Sequence, residues 1–283
     1  MLPPPRSAAP ASQKAGLRRK NKSDYLIQSV ANALDVLETL AREPEEVGVT
    51  EIARQLRLHK NNVFRLLATL ETRRYVEQNP ATENYRLGLM SLELGQGFLQ
   101  QRRLLRYARG VLEEIARQVG ETSHVAIRRG KEAVYLDGVE PDRGLRVVAR
   151  PGLSRPLHAT AEGKCLAAFD PSGEVFDPAA WGGKPLARVA NHTCVDPDRV
   201  VEELKEVAAR GWATDVEEFE DGVSGLAAPV RDDRGRVVAA ISVSGPSWRM
   251  DLGRRSEEVA HPLNEAAARL SALLGFREPA IVS

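Results

Sequence analysis

The chain has 283 residues, 42% of them apolar and 28% charged, with a net charge of +1. That length suits two domains with separate cores, and near-neutral charge excludes a polycation and argues against a membrane-surface protein, so any nucleic-acid binding must come from a local patch. Two distant cysteines, Cys165 and Cys194, in no CxxC or Cys/His ligand spacing, give no disulfide framework and no metal site. With no apolar run near membrane-span length and no signal-peptide core, they point to the cytoplasm.

Residues 1–23 are rich in Pro, Ala and Ser, then basic (Lys14, Arg18, Arg19, Lys20, Lys22). They read as a disordered tail, either a basic arm along DNA or an inert leader. Tyr25 to Ala41 carries one helical stripe of Leu26, Ile27, Val30, Leu34, Leu37 and Leu40, with Ser23 or Asp24 as its cap.

A short helix from Thr50 to Leu56 follows, with Thr50 as N-cap. The next run sets Val63, Leu66, Leu67 and Leu70 on one helix face, and Lys60, Asn61, Asn62, Arg65 and Thr69 on the opposite one. Two helices joined by a tight turn, the second polar at its start, make a helix-turn-helix. Between Ile52 and Val76 six basic residues (Arg54, Arg57, Lys60, Arg65, Arg73, Arg74) face one acid, Glu71, whereas 24–51 is strongly acidic. Positive charge is thus gathered where phosphates would lie. The short β runs at Tyr75–Glu77 and Tyr85–Leu87 form a hairpin, giving a winged helix-turn-helix over 24–88. Thr50, Arg57, His59, Lys60, Asn61, Asn62, Arg65, Arg73, Arg74 and Arg86 are the candidate DNA contacts. Lys60, Asn61 and Asn62 would read bases; Arg65, Arg73, Arg74 and Arg86 would hold phosphates.

Residues 89–119 read as linking and dimerising helices with a weak point at Gly95 and Gly97. Arg102, Arg103, Arg106 and Arg109 there could reach phosphates or make a solvated face. From Thr122 the period becomes that of strands: His124–Arg128, Ala133–Val139, Leu145–Ala149, Ala213–Val216, Leu226–Arg231 and Val237–Ser244. Helices interrupt at Thr160–Phe169, Asp196–Arg210 and Arg255–Leu274, so 120–277 is an antiparallel sheet flanked by helices and the chain is α+β. Alternation in the last strand sends Ile241 and Val243 to one face and Ala240, Ser242 and Ser244 to the other. The second face suits either a cavity floor or small-residue packing under a helix. Amides around Ala161, Glu162 and Gly163, at a helix start, favour a carboxylate.

From about Ser23 to Phe276 the chain resembles the IclR family of bacterial transcriptional regulators. The matching stretches include Thr50-Glu51-Ile52-Ala53, Asn62 to Leu70, Tyr85 to Gly88, His158 to Lys164, Asp215, Leu226 to Val230 and Ile241 to Pro246. The resemblance implies a GAF-like effector domain for a small organic or aromatic acid, lined by His158, Ala161, Glu162, Gly163, Asp215, Gly225, Ser242 and Ser244. It also implies a homodimer or homotetramer on a pseudopalindromic operator and control of a catabolic operon, with repression the expected polarity. His158 could meet the ligand or be a structural histidine, and Asp215 could lie in the pocket or at the surface. Arg57 and His59 stand where the family usually has Gly and Pro, and Gly225 where cysteine is common, which widens the pocket. No nucleophile elbow, P-loop or dinucleotide fingerprint occurs, so no enzyme is expected and no cofactor. The competing reading is an architectural or partner-binding DNA protein without effector.

Overall fold

The computed structural model describes residues 26–101, 103–170, 172–174, 177–181 and 185–277; the expected tail and its Ser23 or Asp24 cap fall outside them. Two units divide the chain between Gly97 and Phe98.

The first unit holds helices α1 (Gln28–Arg42), α2 (Val49–Leu56) and α3 (Lys60–Thr72) and a hairpin of β1 (Val76–Gln78) and β2 (Tyr85–Leu87). Its core gathers Val36, Leu40, Ile52, Val63, Leu67 and Tyr85, all nearly sealed from solvent. The α1 stripe is not the one expected. Ala33, Val36, Leu37 and Leu40, at i, i+3, i+4 and i+7, pack inward, whereas Val30 and Leu34 remain 53% and 54% exposed. Two overlapping apolar stripes run along this helix, and only one meets the core. Nor is Thr50 a cap: α2 starts one residue earlier behind Gly48, which leaves Thr50 exposed in the first turn. The helix stops at Arg57, in the left-handed conformation (φ 54°), where the Leu58 N–H reaches the Ala53 carbonyl at 3.0 Å. Helix α4 (Leu89–Gln101) spans the division between the units, and α5 (Arg103–Val119) belongs to the second.

The second unit is a six-stranded antiparallel sheet in the order β5-β4-β3-β8-β7-β6. Its strands are β3 (Thr122–Arg129), β4 (Glu132–Val139), β5 (Ser154–Pro156), β6 (Ala213–Val216), β7 (Val223–Arg231) and β8 (Val237–Pro246). One face carries Val125, Ile241 and Val243 against α5 and α9 (Leu252–Leu273), after a single turn, α8 (Ser247–Met250). The other carries Ala126, Ala227 and Ala240 against α6 (Ala161–Ala168), which in turn packs on α7 (Pro197–Arg210). Small residues on this second face let α6 approach the sheet, so the α+β arrangement and the alternation expected of β8 both hold. Asp196 caps α7, Pro197 opens it and Gly211 (φ 89°) ends it, as the sequence implies.

Leu145–Ala149 is not a strand. Side chains take the hydrogen bonds a ladder would use: Thr122 Oγ1 donates to the Val147 carbonyl at 2.5 Å, Arg249 to the Leu145 carbonyl at 2.8 Å, and the Ala149 N–H donates to Glu140 at 3.1 Å. The segment is pinned as a loop, and the edge strand forms later, at Ser154–Pro156.

Candidate functional site

Helix α3 opens behind His59 with Lys60, Asn61 and Asn62 in its first turn and no acid there. The side chains of Arg57, His59, Lys60, Asn61, Asn62, Arg65, Arg73 and Arg74 are exposed, and none makes a hydrogen bond or ion pair among the described residues. Asn61 and Arg65 lie opposite the buried Val63 and Leu67, at the centre of the outward face. Other arginines differ. Arg54 is bound by Glu51 at 2.5 Å and Arg109 by Glu113 and Asp137, each at 3.0 Å. Arg86, in the wing, is engaged by Glu46 at 3.3 Å and Glu77 at 3.4 Å. Within the first unit the unpaired cations therefore cluster on α3 and its flanking turns, with Arg86 held by carboxylates, while on α5 Arg103 and Arg106 are also exposed and unpaired. Arg102 lies outside the described residues.

The second unit holds a cavity of about 40 Å³ between sheet and α6, which shares lining residues with an outer groove of about 690 Å³. Ala161, Glu162, Asp215, Gly225 and Ser244 of the expected set line the cavity. Cross-strand register explains three of them, because Asp215 pairs with Gly225 and Gly225 with Ser244, in one row across β6, β7 and β8. A Cβ on Gly225 would stand 2.8 Å from Ser244 Oγ, so glycine there leaves the hydroxyl open. Ser242 is fully buried one step along β8 and donates to Glu162.

Two expected residues serve the frame. Gly163 packs on the backbone of Leu157, which a Cβ would meet at 2.4 Å, and its N–H is taken by Thr160 Oγ1 at 3.1 Å. His158 lies off the cavity, its Nε2 bonded to the Ala187 carbonyl at 3.0 Å, and burial lowers its pKa. It is structural.

Ten lining residues lie outside the expected set, among them His124, Tyr135, Arg150, Arg155, Phe219 and Glu220. His124 is buried edge-on against Tyr135, with ring centroids 5.3 Å apart, and its Nδ1 has no partner. Burial lowers its pKa, so the ring is neutral at pH 7. The Arg155 guanidinium sits 3.8 Å from the Phe219 centroid and 5.6 Å from that of Tyr135, with no carboxylate bound to it among the described residues. Arg150 is likewise unpaired and exposed. Burial raises Asp215 to about 7, against the pull of Lys164, while its Oδ1 accepts the Glu218 N–H at 2.8 Å. Lys164 is itself sealed, its Nζ 2.6 Å from Glu203 and 2.6 Å from Glu218. Among the described residues no group of acids, histidines and cysteines is placed to hold a metal, and no helix is long and apolar enough to cross a membrane.

A winged helix-turn-helix with free polar donors on its second helix defines the class: a DNA-binding regulator. The model of the IclR helix-turn-helix domain matches residues 29–80 and that of the bacterial transcriptional regulator IclR C-terminal domain matches 96–272, so the chain belongs to the IclR family and is a transcriptional regulator. It is 33% identical to the HTH-type transcriptional regulator XynR of Escherichia coli over 89% of this chain and 98% of that protein. It is also 33% identical to KdgR of the same organism, over 91% and 97%. Among solved structures, an IclR transcriptional regulator from Alicyclobacillus acidocaldarius superposes with a TM-score of 0.77 at 28% identity, covering 89% of this chain and all 100% of its own. An IclR homolog from Microbacterium hydrocarbonoxydans, complexed with 4-hydroxybenzoate, superposes at 0.75 and 25% identity, covering 87% and 98%.

Proposed function

We propose that this regulator is a cytoplasmic, homodimeric repressor of a catabolic operon, released from a pseudopalindromic operator by a small organic or aromatic acid. Dimers would set two α3 helices in successive major grooves about 34 Å apart. Lys60, Asn61 and Asn62 would read base edges, and Arg57, Arg65, Arg73 and Arg74 would hold phosphates. Self-association is supported by the apolar residues left open on α1 and α4, where Leu34 is 54% and Leu92 58% exposed. A pair of dimers, making a homotetramer, would fit the same surface chemistry.

Effector control rests on one observation. One buried polar atom without a partner, His124 Nδ1, lines the cavity beside the half-buried Ser244 hydroxyl and Arg155 guanidinium and the exposed Arg150, none of which makes a hydrogen bond or ion pair among the described residues. Buried polar groups normally find partners within the fold, and a shared set of orphans is what a ligand supplies. The 4-hydroxybenzoate held by the Microbacterium homolog makes aromatic acids the first to try. The test is retardation of promoter fragments from the protein's own locus at low ionic strength, with and without such acids. Retardation relieved by an acid is the expected result. No retarded fragment under any condition would overturn the regulator reading, and retardation indifferent to every acid would favour a DNA protein without effector.

A further inference from the structure

Sequence logic puts a ligand's carboxylate at the start of α6, on helix-end amides beside the two β8 hydroxyls. In the structure an anion already stands there, and it belongs to the chain. The buried Glu162 carboxylate takes the Ser242 hydroxyl on one oxygen and the Tyr135 hydroxyl, at 3.0 Å, on the other. Thr160 has taken the Gly163 N–H. The Ser242 and Tyr135 hydroxyls and the Gly163 N–H are thus consumed, which leaves only the Ala161 and Glu162 N–H groups of the helix start, and Asp215 lines the same end. A second anion pressed against these acids would meet like charge in a poorly solvated cell.

What is left unpaired at the inner end is uncharged: His124 Nδ1 and the Ser244 hydroxyl. The unpaired cations stand at the neck. Arg150 and Arg155 line both the cavity and the outer groove, together with Val147, Val148, Phe219 and Val223 and one exposed acid, Glu220, so two cations face a single carboxylate there.

We propose that Glu162 acts as a resident anion that fixes the polarity of the effector site, so that the effector enters with an uncharged hydroxyl or carbonyl oxygen first, on His124 and Ser244, and leaves its carboxylate at the neck on Arg155 and Arg150. The ligand class is an acid whose hydroxyl or keto oxygen and carboxylate lie at opposite ends of an apolar spacer. Compact acids carrying both groups on adjacent carbons are refused, because Glu162 occupies their place. This inference rests on the reading of the cavity as the effector site.

The test compares pyruvate, benzoate and 4-hydroxybenzoate by titration calorimetry and thermal shift on the full-length wild type and on Glu162→Ala, Glu162→Gln and Arg155→Ala. Emptying the inner position admits the compact acid, so pyruvate binds Glu162→Ala at least about tenfold tighter than wild type, the worth of one charge-assisted hydrogen bond. Glu162→Gln keeps the size and loses the charge. It shows a smaller gain in the same direction and carries the test if the alanine variant does not melt cooperatively. Any of these acids that binds wild type loses about tenfold in Arg155→Ala, for the same reason. Pyruvate binding that is equal in wild type and both Glu162 variants, or absent from all three, overturns the inference. So does an acid bound as tightly by Arg155→Ala as by wild type. Either result leaves the effector reading standing if some acid still shifts wild-type melting or releases the operator. Operator binding indifferent to every acid removes that reading and the inference together.

Discussion

On α3 the chain exposes Lys60, Asn61, Asn62 and Arg65 without partners, whereas around α6 it buries Glu162, Lys164 and Asp215 among hydrogen bonds and opposite charges. The first arrangement has little folding work to do, since its polar atoms stay hydrated until DNA replaces water. The second carries the opposite load. Each ionised group there is tolerable only because its neighbours hold it. Changes on α3 should therefore move binding and leave stability nearly untouched, and changes beneath the cavity should move stability first.

Lys164 gives the largest contrast. Lys164→Met removes the one buried ammonium bound by Glu203 and Glu218 and leaves two partly buried carboxylates without their counter-ion. A loss of about 5 kcal/mol is expected, the upper end for a broken buried pair. Urea unfolding of the full chain checks it. A loss below 1 kcal/mol, on the order of an exposed pair, would mean water reaches this cluster and the contrast is false.

Asp215 sharpens the same point through pH. Burial raises its pKa to about 7 in the folded chain, above the ordinary carboxyl value of 3.8. Between these pH values the native state therefore binds more protons than the unfolded chain. Stability from this group is complete below about pH 4 and fades as pH rises through 7, by about 4 kcal/mol. In Asp215→Asn that slope disappears. A series of melts from pH 4 to 8 that is equally steep in both proteins would assign the pH dependence elsewhere.

The same contrast explains what the sequence could tell. The reading head is local: its helix face, charge run and hairpin all lie within about forty residues, so spacing and charge expose it directly. Even so, α1 misled, because two apolar stripes overlap on it and a periodicity count cannot say which one the domain buries. The cavity is assembled from all six strands of the sheet, the start of α6, the 147–150 loop and the turn after β6, so its walls meet only through strand register and tertiary packing. Asp215, Gly225 and Ser244 were reachable through family resemblance; His124, Arg155 and Phe219 were not, because nothing near them in sequence marks them. The loop at 145–149 was missed for a related reason. Its apolar pattern suits a strand, and remote side chains of Thr122, Glu140 and Arg249 decide otherwise.

On the exposed side the expected effects are smaller and fall on DNA. Asn61→Ala should cost about 2 kcal/mol at a single base position, as the loss of a bidentate side chain to adenine would, with no change in the urea midpoint. Competition against operators mutated one position at a time measures it. Equal losses on operator and random DNA would remove Asn61 from the reading set.

Arg57 is where the two regimes meet, and it carries the smallest expected effect. It holds a left-handed backbone at the end of α2 (φ 54°), a conformation that costs a residue with a Cβ about 1 kcal/mol and glycine almost nothing. Its side chain is exposed and unpaired, so the fold gains nothing from it in return. A cation kept at a strained turn beside the reading helix is explained if it meets a phosphate. Arg57→Gly should then raise the stability of the reading head by about 1 kcal/mol while lowering the salt slope of operator binding by about one counterion. Melting and salt titration on the same variant separate the two effects. A gain in stability with an unchanged slope would show that the strain at Arg57 serves nothing on the DNA.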